Sequence, residues 1–375
     1  MNQPDVTRSP IKNRWKGVCR LLVIRLDNLG DVLMTTPALA ALRDAFPEAC
    51  ITLLTSPSGA ALAGHLSMID EVMVADVPWV KGAPLRPPIC ADDFDLVKRL
   101  RTGDHDAVVI FTTATQSPWP MAMVCWQAGV TLCLAHCREN PYELMSDGVS
   151  DVEVVHQGMR HEVRRQLDLL AAIGVEAQSE RMVFELHPAD HAGAQAHLKR
   201  IGLATARAFV LMHPGATAPS RRYPAAMFGQ AMAQLMRQGL TCVFVGNGAD
   251  VDLVHEAHAA AGGQGLVLVD KLTLGELAAL IQQASVLVCN NSGPAHLAAA
   301  VGTPVVDLYA LTNPQHTPWQ VPSRVLFHDV PCRNCLRSVC PQGHHACLRE
   351  VAPGAVAAAV MDLLELTHEQ PRPAA

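Results

Sequence analysis

The chain has 375 residues, half of them hydrophobic and 17% charged, and a formal net charge of −6. That length exceeds one ordinary core and the apolar content is ample for two. The slight acidic balance removes the electrostatic reason to expect a nucleic-acid partner, which needs a broad basic surface.

Residues 1–17 are polar and basic and read as a flexible tail. The apolar run behind them, Cys19 to Leu26, is broken by Arg20 and Arg25 and makes a poor secretory signal. Arg20 to Leu26 reads instead as a β-rich run, Asp27 to Gly30 as a turn, and Asp31 to Phe46 as a helix. Cys50 to Thr55, Glu71 to Ala75 and Ala107 to Phe111 repeat the strand signal. Met121 to Cys137 is apolar but interrupted by Gln127, Gly129 and Thr131, and a membrane span needs about 20 apolar residues. It reads as buried helix and strand. Val163 to Ile173 is an amphipathic helix closed by Gly174.

After a polar stretch the alternation restarts. Ala208 to Met212, Thr241 to Val245, Leu266 to Val269, Ser285 to Cys289 and Pro304 to Leu308 read as strands, with helices at Met227 to Arg237, Leu274 to Gln283 and Ala295 to Val301 between them. Strands alternating with helices imply parallel sheets covered on both faces. The expected division is a tail over 1–17, a Rossmann-like domain over 18–178, a linker over 179–190, a second Rossmann-like domain over 191–350 and a C-terminal helix and tail over 351–375. The second domain includes a Cys/His-rich segment over 329–348. Ligands of such sheets sit at the carboxyl ends of the strands, so two such domains face to face make a cleft.

Three loops follow strands where a ligand belongs. RLDNLGDVLMTTPAL, residues 25 to 39, lacks the glycine pattern of a dinucleotide site. Its Asp31 falls in the first turn of a helix, where a carboxylate caps the helix or, at the mouth of a cleft, takes a proton from an attacking hydroxyl. Asp27 is the second candidate. HPGATAPSRRYP, residues 213 to 224, sets small residues before Arg221 and Arg222, which could bind a pyrophosphate bidentately or stand solvated on the surface. CNNSGPAHLAAAVG, residues 289 to 302, runs a strand into a well-signalled helix whose free N–H groups suit a phosphate, or which binds nothing. A glycine turn follows at 246–248, where Asp250 and Asp252 are available to ribose hydroxyls or to a helix cap.

In order, GDVLMTTPAL, HPGA with RRYP, NSGPAHLAAAVGTPVV and TNPQHTPW resemble glycosyltransferase family 9, the ADP-heptose:lipopolysaccharide heptosyltransferases, and heptosyltransferase II more than the others. The resemblance runs from about Cys19 to the last helix. It implies an α/β, GT-B architecture of two doubly wound domains, the N-terminal one holding the acceptor and the C-terminal one the nucleotide sugar. It also implies inverting transfer without a metal or other cofactor. The aspartate of the family's G-D-V motif falls on Asp31, which becomes the general base, with Asp27 and Asn28 on the acceptor side. Arg221 and Arg222 would hold the leaving pyrophosphate, and Thr217, Asn291, Ser292, Gly293 and His296 fall in the donor loops, with Asp250 or Asp252 on the ribose. The implied partners are ADP-heptose and a lipid-linked glycan at the cytoplasmic face of the inner membrane.

Two positions depart from the family. Several heptosyltransferases have an aspartate where this chain has Asn291, and the usual lysine and tryptophan of K-x-W-P are Arg221 and Tyr223. These leave the fold in place and bear on the identity of the sugar.

The chain has twelve cysteines and no export signal, which fits reduced thiols in the cytoplasm. Cys332, Cys335, Cys340 and Cys347, with His344 and His345, leave two readings open: a structural zinc site, or free thiols packing a loop. Alternatives to heptosyl transfer are a related glycosyltransferase with another donor or acceptor, a non-catalytic nucleotide-binding module, and a metal-dependent regulatory protein centred on the cysteines.

Overall fold

The computed structural model describes residues 11–80, 91–153, 159–203, 208–269 and 272–369. Its contacts divide the chain into two compact units, Met1–Val183 and Phe184–Ala375.

In the first unit the order is β1 (Arg20–Arg25), α1 (Leu29–Ala45), β2 (Cys50–Thr55), the single turn α2 (Pro57–Ala60), β3 (Glu71–Val74), α3 (Ala91–Gly103), β4 (Ala107–Ile110), α4 (Trp119–Ala128), β5 (Leu132–Cys137), β6 (Asp147–Ser150) and α5 (Glu162–Ala171). The strands form one sheet in the order β3-β2-β1-β4-β5-β6, with every neighbouring pair parallel. Leu22, Ile24, Val108 and Ile110 face one way, into a core closed by Leu96, Leu100, Met121 and Cys125 of α3 and α4. Residues 11–17 are anchored: Trp15 is fully buried. Lys12 Nζ and Trp15 Nε1 each reach the Asp147 carboxylate at 2.9 Å and Arg14 at 2.5 Å. The remaining tail residues lie outside the described ones, as do 81–88 of the acceptor loop around Trp79.

The second unit runs α6 (Pro188–Arg200), β7 (Phe209–His213), α7 (Ala225–Arg237), β8 (Thr241–Gly246), α8 (Val251–Ala260), β9 (Leu266–Val269), α9 (Leu274–Gln283), β10 (Val286–Asn290), α10 (Gly293–Val301), β11 (Val305–Leu308), β12 (Ser323–Leu326), the short turn α11 (Ala346–Arg349) and α12 (Pro353–Glu369). Its sheet, β12-β11-β10-β7-β8-β9, is again wholly parallel. Val210, Met212, Phe244, Val288, Val306 and Leu308 pack under α7, α8 and α12 through Phe228, Met232, Val254, Val356 and Val360. Each unit is therefore α/β with a doubly wound parallel sheet. The strand run reverses between β1 and β4 in one and between β7 and β10 in the other, and open α/β sheets bind ligands at such switch points.

Candidate active site

The first switch point lies at the ends of β1 and β4. The last residue of β1 is Arg25, whose side chain is fully buried and meets three carboxylates. Its Nε is 2.8 Å from Asp27 Oδ2, an ion pair whose angle misses hydrogen-bond geometry. Nη1 donates to Glu162 Oε1 at 3.0 Å and Nη2 to Asp31 Oδ1 at 3.4 Å. Burial opposes the arginine's charge, but Asp27, Glu162 and Asp31 outweigh it and raise its pKa. Glu162, the first residue of α5, is itself fully buried and accepts from Gln166 Nε2 at 2.6 Å. The same amide donates at 3.0 Å to the carbonyl of Thr112, just beyond β4.

Asp27 is 7% exposed and accepts a short hydrogen bond from Gln116 Nε2. Burial pushes it up to about 6, against the pull of Arg25 and with that of Asp31. Asn28 is exposed at the N-cap of α1 and makes no side-chain cap bond. Asp31 lies in the first turn of that helix. Beside this network Trp79, Phe111, Thr112, Gln116 and Met121 line a small hollow that reaches Asp27. Sequence reasoning missed Arg25, Gln116 and Glu162. The one local signal is an arginine at the end of an otherwise apolar strand, where burial of the charge demands partners.

The second switch point lies at the ends of β7 and β10. Asn290 is fully buried and joins the two loops there. Its Nδ2 donates to Pro214 O at 2.7 Å, and its Oδ1 accepts from Tyr223 N at 2.9 Å. A Cβ on Gly215 would come within 2.0 Å of Asp250 Oδ1, so only glycine lets the loop pass. Asp250 is thereby placed: buried, it accepts from Asn247 N at 3.2 Å and faces His213 Nε2 at 3.7 Å. Burial lowers the His213 pKa against the attraction of Asp250. The carboxylate thus braces the loops, and Asp252 is the exposed acid of this turn.

Thr217 is exposed in the same loop. Arg222 Nε donates to Ala216 O at 2.7 Å and so steadies its own loop. Arg221 is half-buried; its backbone N–H donates to Ala218 O at 2.9 Å, and its guanidinium forms no hydrogen bond or ion pair with the described residues. Its turn is fastened to the Cys/His-rich segment: Ser220 N donates to Ser338 O at 2.9 Å and Ser220 Oγ to Arg337 O at 2.7 Å. Tyr223, in the position of the family's tryptophan, is buried, with its hydroxyl on Val351 O at 2.8 Å.

Helix α10 starts at Gly293 behind Ser292, which makes no side-chain cap bond and sends its hydroxyl to Asn290 O at 3.1 Å. Asn291 is 2% exposed, and its Oδ1 has no hydrogen-bond partner. His296 is buried, its ring centroid 6.3 Å from that of His316. Uncapped N–H groups at this helix start and the Arg221 guanidinium suit an anionic guest.

Cys332, Cys335, Cys340 and Cys347 are free and half-buried. Cys332 Sγ is 3.8 Å from His344 Nε2. Burial would raise the Cys340 thiol, but backbone N–H groups of residues 342–345 outweigh it and lower its pKa. Among the described residues no three thiols or imidazoles of this segment bring their ligand atoms within 4.8 Å of one another, so a closed tetrahedral zinc nest is not formed.

The model of glycosyltransferase family 9 (heptosyltransferase) matches residues 94–346, two thirds of the chain. Lipopolysaccharide heptosyltransferase 3 of Escherichia coli is 26% identical over 297 residues, covering 78% of this chain and 83% of that protein. The crystal structure of a family 9 glycosyl transferase from Veillonella parvula DSM 2008 is similar with a TM-score of 0.77 at 24% identity, over 93% of this chain and 98% of that one. The E. coli ADP-heptose lps heptosyltransferase II gives 0.71 at 20% identity, over 93% and 99%. The last two likenesses bear on the fold, which is GT-B.

Proposed function

The chain belongs to glycosyltransferase family 9, the heptosyltransferases, and is a glycosyltransferase; from that premise we propose that it moves heptose from ADP-heptose to the inner core of lipopolysaccharide, inverting the anomeric centre, with Asp31 as general base. The observation that carries the base assignment is the Arg25 network, which ties the Asp31 carboxylate to the switch point of the first sheet at 3.4 Å. There Asp31 takes the proton of the acceptor hydroxyl as that oxygen attacks the anomeric carbon and ADP departs. Asp27 and Asn28, on the same turn, bind the acceptor.

The donor side of the reading rests on the second unit. Arg221 and the start of α10, with Asn291, Ser292, Gly293 and His296, take the diphosphate and sugar, and Thr217 and Arg222 complete the phosphate loop. Asp252 takes the ribose, with Asp250 behind it. Charge growing on the leaving ADP is neutralised by Arg221. The structurally similar E. coli enzyme is an ADP-heptose lps heptosyltransferase, which supports the choice of nucleotide sugar. No metal takes part. The enzyme acts at the cytoplasmic face of the inner membrane, as a peripheral protein; among the described residues no helix is long and apolar enough to cross a membrane.

A second reading keeps the chemistry and changes the sugar. It is favoured by Asn291, whose buried Oδ1 accepts no hydrogen bond and offers a neutral oxygen where several relatives have a carboxylate. The test is release of ADP or UDP, whichever the donor carries, by the purified chain with a heptose-deficient lipopolysaccharide acceptor and a panel of ADP- and UDP-sugars. Heptose transfer from ADP-heptose alone supports the first reading and turnover of another sugar the second; no release with any donor would refute both.

A further inference from the structure

The turn that carries Arg221 is held from behind by the Cys/His-rich segment. Ser220 is 3% exposed; its hydroxyl donates to Arg337 O at 2.7 Å and its N–H to Ser338 O at 2.9 Å. Arg222 is tied through its Nε to Ala216 O, and Tyr223 through its hydroxyl to Val351 O. Of these four consecutive side chains only Arg221 keeps its polar end free among the described residues. Bonds to the three neighbours order the turn before a ligand arrives, and the guanidinium is left for a guest.

The segment is itself anchored. Asn334 N donates to Leu311 O at 2.7 Å and Leu336 N to Thr312 O at 2.8 Å, in the loop that follows β11. Asn334 and Leu336 hold left-handed backbones, with φ of 59° and 54°, a conformation that a leucine keeps only where its surroundings fix it. At the far end Leu348 is fully buried in the core under α7 and α12. Residues 334–338 thus bridge the loop after β11 to the turn of Arg221. Two half-buried free thiols flank that bridge, Cys335 before Arg337 and Cys340 after Ser338.

We propose that this segment is a clasp on the donor site, with Ser220 as the positioning residue through which it holds Arg221 in place for the diphosphate. This rests on the reading that the second unit binds a nucleoside diphosphate. Ser220 touches no substrate. Removing its hydroxyl leaves Arg337 O without its donor and loosens the turn, so Arg221 must be ordered anew as the ligand binds.

The test is a double-mutant cycle on the full chain, read by calorimetric titration with ADP. Ser220→Ala should weaken binding by about three- to tenfold in the wild-type background and by less than about twofold in an Arg221→Ala chain, where the group it positions is gone. Ser220→Cys, nearly the same size and a weak donor, should behave likewise if the alanine variant fails to fold. A loss that is absent in the wild-type background, or that persists undiminished beside Arg221→Ala, would overturn the proposal. Coupling is reciprocal, so saturating ADP should slow the alkylation of Cys335 and Cys340 by N-ethylmaleimide by about the same factor, read site by site by mass spectrometry. The exposed Cys19 of the first unit is the control and should react at an unchanged rate. Unchanged rates at Cys335 and Cys340, or a slowing that survives Ser220→Ala, would also overturn it. Failure of wild type to bind ADP, or an Arg221→Ala chain that binds it as wild type does, would instead strike the donor-site reading, and the clasp with it.

Discussion

Arg25→Met tests the network under the general base. The substitution keeps an unbranched apolar stem and removes the guanidinium that meets Asp27, Asp31 and Glu162, which are 7%, 15% and 0% exposed at their side chains. Removing one partner of a buried ion pair costs about 3 to 5 kcal/mol, because the charge left behind has lost its solvent and its partner. For a unit of this size that lowers Tm by roughly 6 to 20 °C. The loss depends on pH. Without Arg25 the folded-state pKa of Asp27 moves further up, and a carboxyl raised above its unfolded value of about 4 loses stability as pH rises through the folded value. The deficit is therefore largest at pH 8 and smallest near pH 4.5. Arg25→Met/Glu162→Leu should recover half or more of it, since a buried pair exchanged for apolar side chains is often neutral. Melts followed by circular dichroism at both pH values decide the matter. An Arg25→Met melting point within about 2 °C of wild type at pH 8, or a deficit equal at both pH values, would refute the reasoning.

Asp27 should carry a separate titration. Its folded pKa of about 6 lies above the unfolded value, so its contribution is intact below about pH 4 and lost as pH rises through 6. Asp27→Asn should remove that component, worth about 3 kcal/mol at most, from denaturation curves between pH 4 and 7. Asn290→Ala leaves Tyr223 N and Pro214 O without their buried partner and should cost about 2 to 4 kcal/mol, with ADP affinity falling because both donor loops loosen; denaturant unfolding and calorimetry check the two parts. Gly215→Ala drives a methyl into the Asp250 carboxylate at 2.0 Å and should weaken ADP binding by tenfold or more. Rescue by Asp250→Ala in the same chain would identify that collision as the cause.

The long strands are legible because runs such as those of β1, β2, β7 and β8 are apolar throughout and bounded by turns, as sheets buried on both faces require. The edge strands β6 and β12 are not. Asp147–Ser150 and Ser323–Leu326 have four residues each, carry polar positions and take their shape from pairing with β5 and β11. Helix α6 begins inside the stretch that reads as linker, because its start signals, Pro188 and the capping box of His187 with Asp190, open a helix with few buried apolar residues. Asp31, Asn291, Ser292 and Gly293 stand out in sequence because a strand feeding a helix marks a ligand loop in this fold class. Arg25 and Glu162, 137 residues apart, carry no such mark, and Arg25 by itself reads only as an interruption of an apolar run. Asp250 leaves two readings in the sequence, ribose or helix cap; it is buried beside Gly215 and its carboxylate accepts from Asn247 N at the cap of its turn.

Single-turnover transfer from ADP-heptose to a heptose-deficient lipopolysaccharide, wild type against Asp31→Asn, tests the assignment of the general base most directly. The account predicts a rate lowered by about 100- to 10,000-fold, with ADP affinity held within about threefold of wild type. An Asp31→Asn enzyme that transfers within about tenfold of the wild-type rate would contradict it.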